Sequence, residues 1–288
     1  MNDMEGLVRI ANSSIIAAID PNGAELVELS IIDGENVLWE KDGVFWNRIA
    51  PNLFPIVGRL NNDTYTIDGK QFSMSQHGFA RDRKFSVESR SEEAVTLLLS
   101  SDQETLKIYP FSFEFRVIYT LQDSGIHVQY SVKNTGGGEM PYSVGGHPGF
   151  GLSDEFSNYE LRFPAPLRIE RHLLEGSYFS GKTETMKIEG KLPLSYELFQ
   201  RDAIVFIKPP FNTLTLAHKV KGPVLTVSSD QWDALGIWTK RDAPFLCIEP
   251  WWGFADRLDT SGDLFVKAGI HILETNKQEI TGFSITIA

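Results

Sequence analysis

Residues 64–74, TYTIDGKQFSM, set Asp68-Gly69 between two short runs of alternating character. A two-residue connection of this kind needs positive φ at both positions, which glycine adopts freely and aspartate tolerates, and it joins antiparallel strands. The same grammar recurs along the chain. Ser14 to Ile19 ends at Pro21-Asn22-Gly23, Phe113 to Leu121 at Asp123-Ser124-Gly125, and Ile126 to Val132 at Asn134-Thr135-Gly136. Further strands are expected at AIVFI (203–207), TLTLA (213–217), VLTVS (224–228), LGIWT (235–239) and GFSITIA (282–288). Helical signal is scarce. The best segment is 101–107, where Ser101 and Glu104 have capping-box spacing and predict one short helix or turn. No repeat of 20 to 50 residues suggests a propeller or solenoid. The expectation is therefore an all-β chain, a large antiparallel β-sandwich with few short helices, forming a single domain over residues 1–288.

A chain that is 42% hydrophobic has the material for one large core. Its formal net charge of −11 argues against a general nucleic-acid binder, because phosphate backbones select basic surfaces. No run reaches the roughly 18 apolar residues needed to span a bilayer, and MNDMEGLVRIANSS lacks the basic and apolar regions of a secretory leader. Cys247 stands alone, so no internal disulfide and no cysteine-based zinc cluster is available. A reducing cytoplasm fits this cysteine usage. HExxH, EF-hand, phosphate-loop and GxSxG patterns are absent, which removes the main support for metalloprotease, P-loop and α/β-hydrolase readings.

Three regions break the strand pattern with glycine, proline, aromatics and reactive groups together. They are FPIVGRL (54–60) followed by QHGFAR (76–81), then GGHPGF (145–150), then CIEPWWG (247–253). In GGHPGF the imidazole of His147 sits among residues with little bulk, so the chain presents it rather than burying it in a regular strand. His77 reads either as a loop histidine bonded to a nearby carbonyl or as a site residue. Glu249 ends an apolar run, where an unpartnered carboxylate is costly. It is either half of a structural ion pair or a base with a raised pKa. Arg59 follows a glycine in an apolar stretch and needs a carboxylate or a ligand oxygen. Arg83 and Lys84 read as surface cations. Trp251 and Trp252 face opposite sides of a strand, so one of them can line a cavity and offer its face to a sugar; Trp251 is the candidate. His127, His218 and His271 read as sheet residues.

Taken in order, FPIVGRL, QHGFAR, GGHPGF and IEPWWG resemble the aldose 1-epimerase (galactose mutarotase-like) superfamily, and its bacterial subgroup more closely. The likeness extends over most of the chain, including Gly23-Ala24-Glu25-Leu26. It implies a supersandwich whose concave face binds a sugar and interconverts its anomers without metal or other cofactor. By motif, His147 matches the general acid, Glu249 the general base and His77 the histidine near the sugar ring oxygen. Arg59 matches a substrate-contacting arginine, and Arg81 is a second contact by position. The Gly-Leu-Asp-His-type segment of well-known galactose mutarotases is absent, so no aspartate carries over; Asp202, Asp230 and Asp233 are candidates by location only. A hexose-6-phosphate 1-epimerase, with Arg59, Arg81, Arg83 and Lys84 as phosphate partners, is the neighbouring alternative. A non-catalytic sugar binder of the same fold is the alternative from another class. Neither the sugar nor the oligomeric state is fixed by these residues.

Overall fold

In a computed structural model of the chain, which describes residues 6–288, two large antiparallel sheets stack face to face. The first five residues of the leader expectation lie outside the described region. One sheet has nine strands, in the order Lys191–Pro193, Tyr159–Arg162, Thr213–His218, Gly222–Ser228, Gln278–Ile287, Gly125–Asn134, Phe113–Gln122, Ala94–Ser100 and Ser86–Arg90. The other runs Tyr178–Ile188, Leu167–Glu175, Ile204–Ile207, Ala234–Trp238, Phe245–Trp252, Val144–Gly146 and Asn52–Leu53, with Gly149–Gly151 also pairing to Phe245–Trp252. A three-stranded sheet, Val8–Ala11, Ile15–Asp20 and Glu25–Ile31, and two small two-stranded sheets complete the β-structure.

Alternation builds the core between the sheets. Along Phe113–Gln122 the residues Phe113, Phe115, Val117, Tyr119 and Leu121 are buried, and those between them are half-buried. Phe54, Phe79, Tyr109, Phe113 and Phe115 form one connected ring cluster, with Phe54 stacked on Phe115 at 4.5 Å between centroids. Each such side chain stabilises the fold by roughly 1.5–3 kcal/mol through burial alone.

Phe245–Trp252 is buried along its whole length because both of its faces are covered. Leu246, Ile248 and Trp252 point into the inter-sheet core. Phe245, Cys247 and Trp251 belong to two smaller clusters on the opposite face. Glu249 shares their parity, so period-2 geometry carries it to that outer face.

Local signals are realised with one shift. Asp68 and Gly69 have φ of 48° and 76°, as the hairpin requires. The expected helix spans Gln103–Ile108, but its cap is Asp102: its carboxylate accepts from the Thr105 N–H, and the Thr105 hydroxyl accepts from the Asp102 N–H. Ser101 instead accepts a hydrogen bond from the Phe113 N–H through its hydroxyl. Among the described residues no helix is long and apolar enough to cross a membrane.

Candidate active site

Two segments flank Phe245–Trp252 on one side, Val144–Gly146 and Gly149–Gly151, and both keep a single antiparallel register with it. Gly145 pairs with Trp251 and Gly149 with Cys247. Continuing that register between them sets His147 directly across from Glu249. Pro148 interrupts the hydrogen-bonded ladder there, although its carbonyl still accepts from the Ile248 N–H. The result is a contact of 3.0 Å between His147 Nε2 and Glu249 Oε2, with the carboxylate 1% and the histidine 9% exposed.

The glycines around His147 are required by its neighbours' bulk. A Cβ on Gly145 would lie 2.8 Å from the Trp251 ring, one on Gly146 would meet Phe283 and the Tyr130 hydroxyl at 2.8–2.9 Å, and one on Gly149 would meet Trp46 at 2.8 Å. Gly236, paired with Glu249 from the next strand, lies under the same Trp251 ring, which a Cβ there would meet at 2.7 Å. Trp251 thus lies flat on a glycine floor.

Above this floor opens a cavity of about 340 Å³. His77, His147, Glu249, Trp251, Arg81 and Gln76 line it, together with Trp46, Trp238, Asp202 and Phe179. Trp46 and Trp238 wall His147, with ring centroids 4.9 and 5.8 Å away. Aromatic walls with a few convergent polar groups suit a small polar ligand that also has an apolar C–H face.

His77 is held by a turn that few residues adopt, with φ of 67° at His77 and 72° at Gly78. Its ring Nδ1 accepts from the Gly58 N–H at 3.1 Å while the His77 backbone N–H donates to the Gly58 carbonyl at 2.7 Å. An Nδ1 that accepts leaves the proton on Nε2. That nitrogen is 3.2 Å from Gln76 Nε2, itself a donor, so in this tautomer the contact is not a hydrogen bond and the Nε2–H stays available to a ligand in the cavity. Burial, then the proximity of His147 and Arg81, holds the His77 pKa well below the imidazole range, so His77 is a neutral donor.

Burial also governs the central pair. It raises the Glu249 carboxyl well above the carboxylate range, with a smaller push from Asp202, and lowers the His147 imidazole to about 3. Both shifts disfavour charge in a dry site. Burial therefore favours the uncharged form of the pair, with one proton between two groups 3.0 Å apart. Glu249 Oε2 and His147 Nδ1 have no aligned hydrogen-bond partner, and neither has the buried Trp251 Nε1.

The remaining candidates separate. Arg81 lines the cavity, donates to the Gln76 carbonyl at 2.6 Å, and is lowered to about 10 by burial and then by Arg48. Arg59 does not line it: its guanidinium grips Asp63 in two bonds of 2.6–2.7 Å and lies over Tyr178. The left-handed backbone at Asn62 and Asp63 turns that carboxylate toward it. Of the three aspartates, Asp202 lines the cavity, whereas Asp230 and Asp233 line a separate cleft of about 690 Å³ beside Trp252 and His271. Trp251 and Trp252 do face opposite sides. His127, His218 and His271 all lie on strands, bonded to Ser284, Asp154 and Asp233. Sequence reasoning passed over Trp46, Trp238 and Gln76; for Gln76 its place beside His77 was an available signal.

A large antiparallel β-sandwich with an outward-facing cavity on one sheet places the chain among the galactose mutarotase-like folds. Residues 6–259 match the family model for aldose 1-epimerase, and the chain belongs to that family. It is similar to the chromosomal LacX protein of Lactococcus lactis subsp. lactis, 30% identical over 270 residues that cover 88% of this chain and 89% of that one. Among solved structures it is similar to a galactose mutarotase related enzyme from Lactobacillus acidophilus, with 35% identity, TM-score 0.94, and coverage of 98% and 97%. A galactose mutarotase-like protein from Lactobacillus casei is comparable, with 31% identity, TM-score 0.93, and coverage of 98% and 100%.

Proposed function

We propose that this chain interconverts the α and β anomers of a hexose by acid–base ring opening and closure. The observation that carries the reading is the His147–Glu249 contact of 3.0 Å on the floor of a cavity large enough for one sugar ring. Glu249, as carboxylate, takes the proton from the C1 hydroxyl. His147, having taken the pair's proton from Glu249 across their 3.0 Å contact, gives it to the ring oxygen. The C1–O5 bond breaks as the C1 carbonyl forms, rotation about C1–C2 exposes the other face, and reclosure reverses both transfers. The proton ends each passage on the opposite member of the pair, so the same two residues serve both directions.

His77 donates through Nε2–H toward the ring oxygen region, Trp251 offers its indole face to the sugar C–H surface and Nε1–H to a hydroxyl, and Arg81 and Asp202 contact peripheral hydroxyls. Arg59 acts at most on a substituent reaching beyond the cavity, and only by leaving Asp63. Family membership and the sugar-sized, aromatic-walled cavity support these roles.

A phosphorylated hexose is the second reading, and Arg81 favours it. Its buried Nε makes no hydrogen bond and has only a long 3.8 Å ion-pair contact with Asp82, and guanidinium is well suited to phosphate oxygens. Arg83 lies over the Phe79 ring and, like Lys84, is not part of the cavity lining, which leaves a weak phosphate cradle and keeps the free sugar ahead. A pure sugar binder has no use for a pair that shares one buried proton. The lone buried cysteine suits a reducing cytoplasm. Polarimetry on fresh α-D-glucose, α-D-galactose and hexose 6-phosphates tests the reading. Faster equilibration that Glu249→Gln abolishes supports it; no acceleration with any of these sugars refutes it.

A further inference from the structure

Cys247 plays no part in the chemistry above, yet it lies on the same face of its strand as Glu249, two residues away. One ligand atom each of His147, Cys247 and Glu249 lies within 4.8 Å of the other two, and all three residues are buried. We propose that these residues form a binding site for a borderline-soft divalent cation of the zinc class, which occupies the acid–base pair and blocks it.

Three observations point the same way. First, the donor set is nitrogen, sulfur and oxygen, which zinc accepts and which magnesium and calcium do not, because a thiolate is a poor ligand for hard ions. Secondly, Glu249 Oε2 is buried without an aligned hydrogen-bond partner although His147 Nε2 is 3.0 Å away. Thirdly, among the described residues no lysine or arginine pairs with Glu249, whose one ion-pair contact is His147. A divalent ion bound by thiolate, carboxylate and neutral imidazole gives a neutral cluster, the cheapest charge state in a site that is hostile to net charge. The thiol proton and the proton shared by the pair leave to solvent.

The fit needs only side-chain adjustment. Zinc–sulfur bonds of about 2.3 Å and zinc–nitrogen bonds of about 2.0–2.1 Å place tetrahedral ligand atoms about 3.3–3.6 Å apart. Separations of up to 4.8 Å contract and the 3.0 Å contact opens slightly to reach this. His147 and Glu249 line the cavity, so the fourth position is left to water or a sugar hydroxyl from that side. Entry runs through the cavity, past Trp46 and Trp238, which are half-buried, line it and pack against the cluster that holds Cys247.

The binding claim stands on geometry; its inhibitory consequence rests on the epimerase reading. Cys247 is the sole cysteine of the chain, so any thiolate-to-metal charge-transfer band reports on it. Untagged wild-type protein titrated with Co²⁺ is expected to develop such a band to one equivalent, which Zn²⁺ displaces and Cys247→Ala lacks. In the anomer assay, Zn²⁺ is expected to inhibit wild type reversibly by EDTA, and Cys247→Ala or Cys247→Ser to stay active while needing about tenfold or more Zn²⁺. Absence of the band in wild type overturns the site, as does equal zinc sensitivity in an active Cys247 variant. A protein that forms the band but turns over no sugar keeps the site and loses the epimerase reading instead.

Discussion

His147 Nε2 and Glu249 Oε2 are 3.0 Å apart because adjacent strands hold them opposite one another in one register, not because a mobile loop brings them together. Glu249→Gln and His147→Gln are each expected to lower kcat by about 10²–10⁴ while leaving sugar binding largely intact, as positioned acid–base groups do. The double variant should be little worse than either single one, because each residue is useless without its partner. Saturation-transfer NMR between the anomers measures all three. A double variant whose loss equals the product of the single losses would show that the two act independently.

The pH profile follows from burial. The His147 imidazole is held far below its ordinary range and the Glu249 carboxyl far above, so a second proton enters the pair only in strongly acid solution. The kcat/KM of the free enzyme is therefore expected to stay level as pH falls from 8 to 5. An acid limb centred near pH 6.5, the ordinary imidazole value, would mean that His147 titrates as an open histidine and that the dry-site account is wrong.

Gly236 and Gly145 make the floor on which Trp251 lies, at 2.7 and 2.8 Å from where a Cβ would stand. Gly236→Ala is expected to tilt the indole into the cavity. The overpacking costs about 1–3 kcal/mol of stability, and the KM for the sugar should rise more than kcat falls. Urea denaturation and steady-state kinetics on the one variant test both halves. A change confined to stability would remove Trp251 from the sugar site.

Much of this fold is written locally. Asp68-Gly69 has to turn with positive φ, and the alternation of Phe113–Leu121 is the burial pattern of its strand. Helix capping was legible only to within one residue, because Ser101/Glu104 and Asp102/Thr105 offer overlapping frames of the same spacing. The acid–base pair was legible as two motifs but not as a contact: nothing local to GGHPGF says that it pairs with IEPWWG in the register that opposes His147 to Glu249. Trp46 and Trp238 were invisible for a related reason, since their site role depends on which neighbour they cover. Arg59 went the other way. Its motif suggested substrate, and the partner it meets, Asp63, is four residues on across a left-handed turn that side-chain spacing does not reveal.

Away from the site, His271 Nε2 is 2.6 Å from Asp233 Oδ2. That hydrogen bond, outweighing desolvation, raises the pKa of the imidazole above its ordinary value. The folded state thus binds the proton more tightly than the unfolded chain. The stabilisation is complete below the unfolded value of about 6.5 and fades as pH rises through the raised folded value. The Tm difference between wild type and His271→Gln should be larger at pH 5.5 than at pH 9; equal differences at both would show that the pair contributes packing and no charge.

Lys267 and Asp256 form a pair 3.6 Å apart with side chains only 2% and 4% exposed. The ammonium also donates to the carbonyls of Phe254 and Ala268, and the Asp256 carboxylate accepts from the Asn61 N–H. Between them they tie down the segment whose Ala255 lines the sugar cavity and abuts Gly58. Removing one partner strands the other charge, so Lys267→Met is expected to destabilise by about 3–5 kcal/mol, whereas combining it with Asp256→Asn should recover much of that loss. Because Ala255 sits on the cavity wall rather than at the reacting atoms, the double variant should show a raised KM with kcat near wild type. If Lys267→Met alone unfolds no more easily than wild type, the pair is not what holds this wall, and the tight Gly58–Ala255 contact must position it unaided.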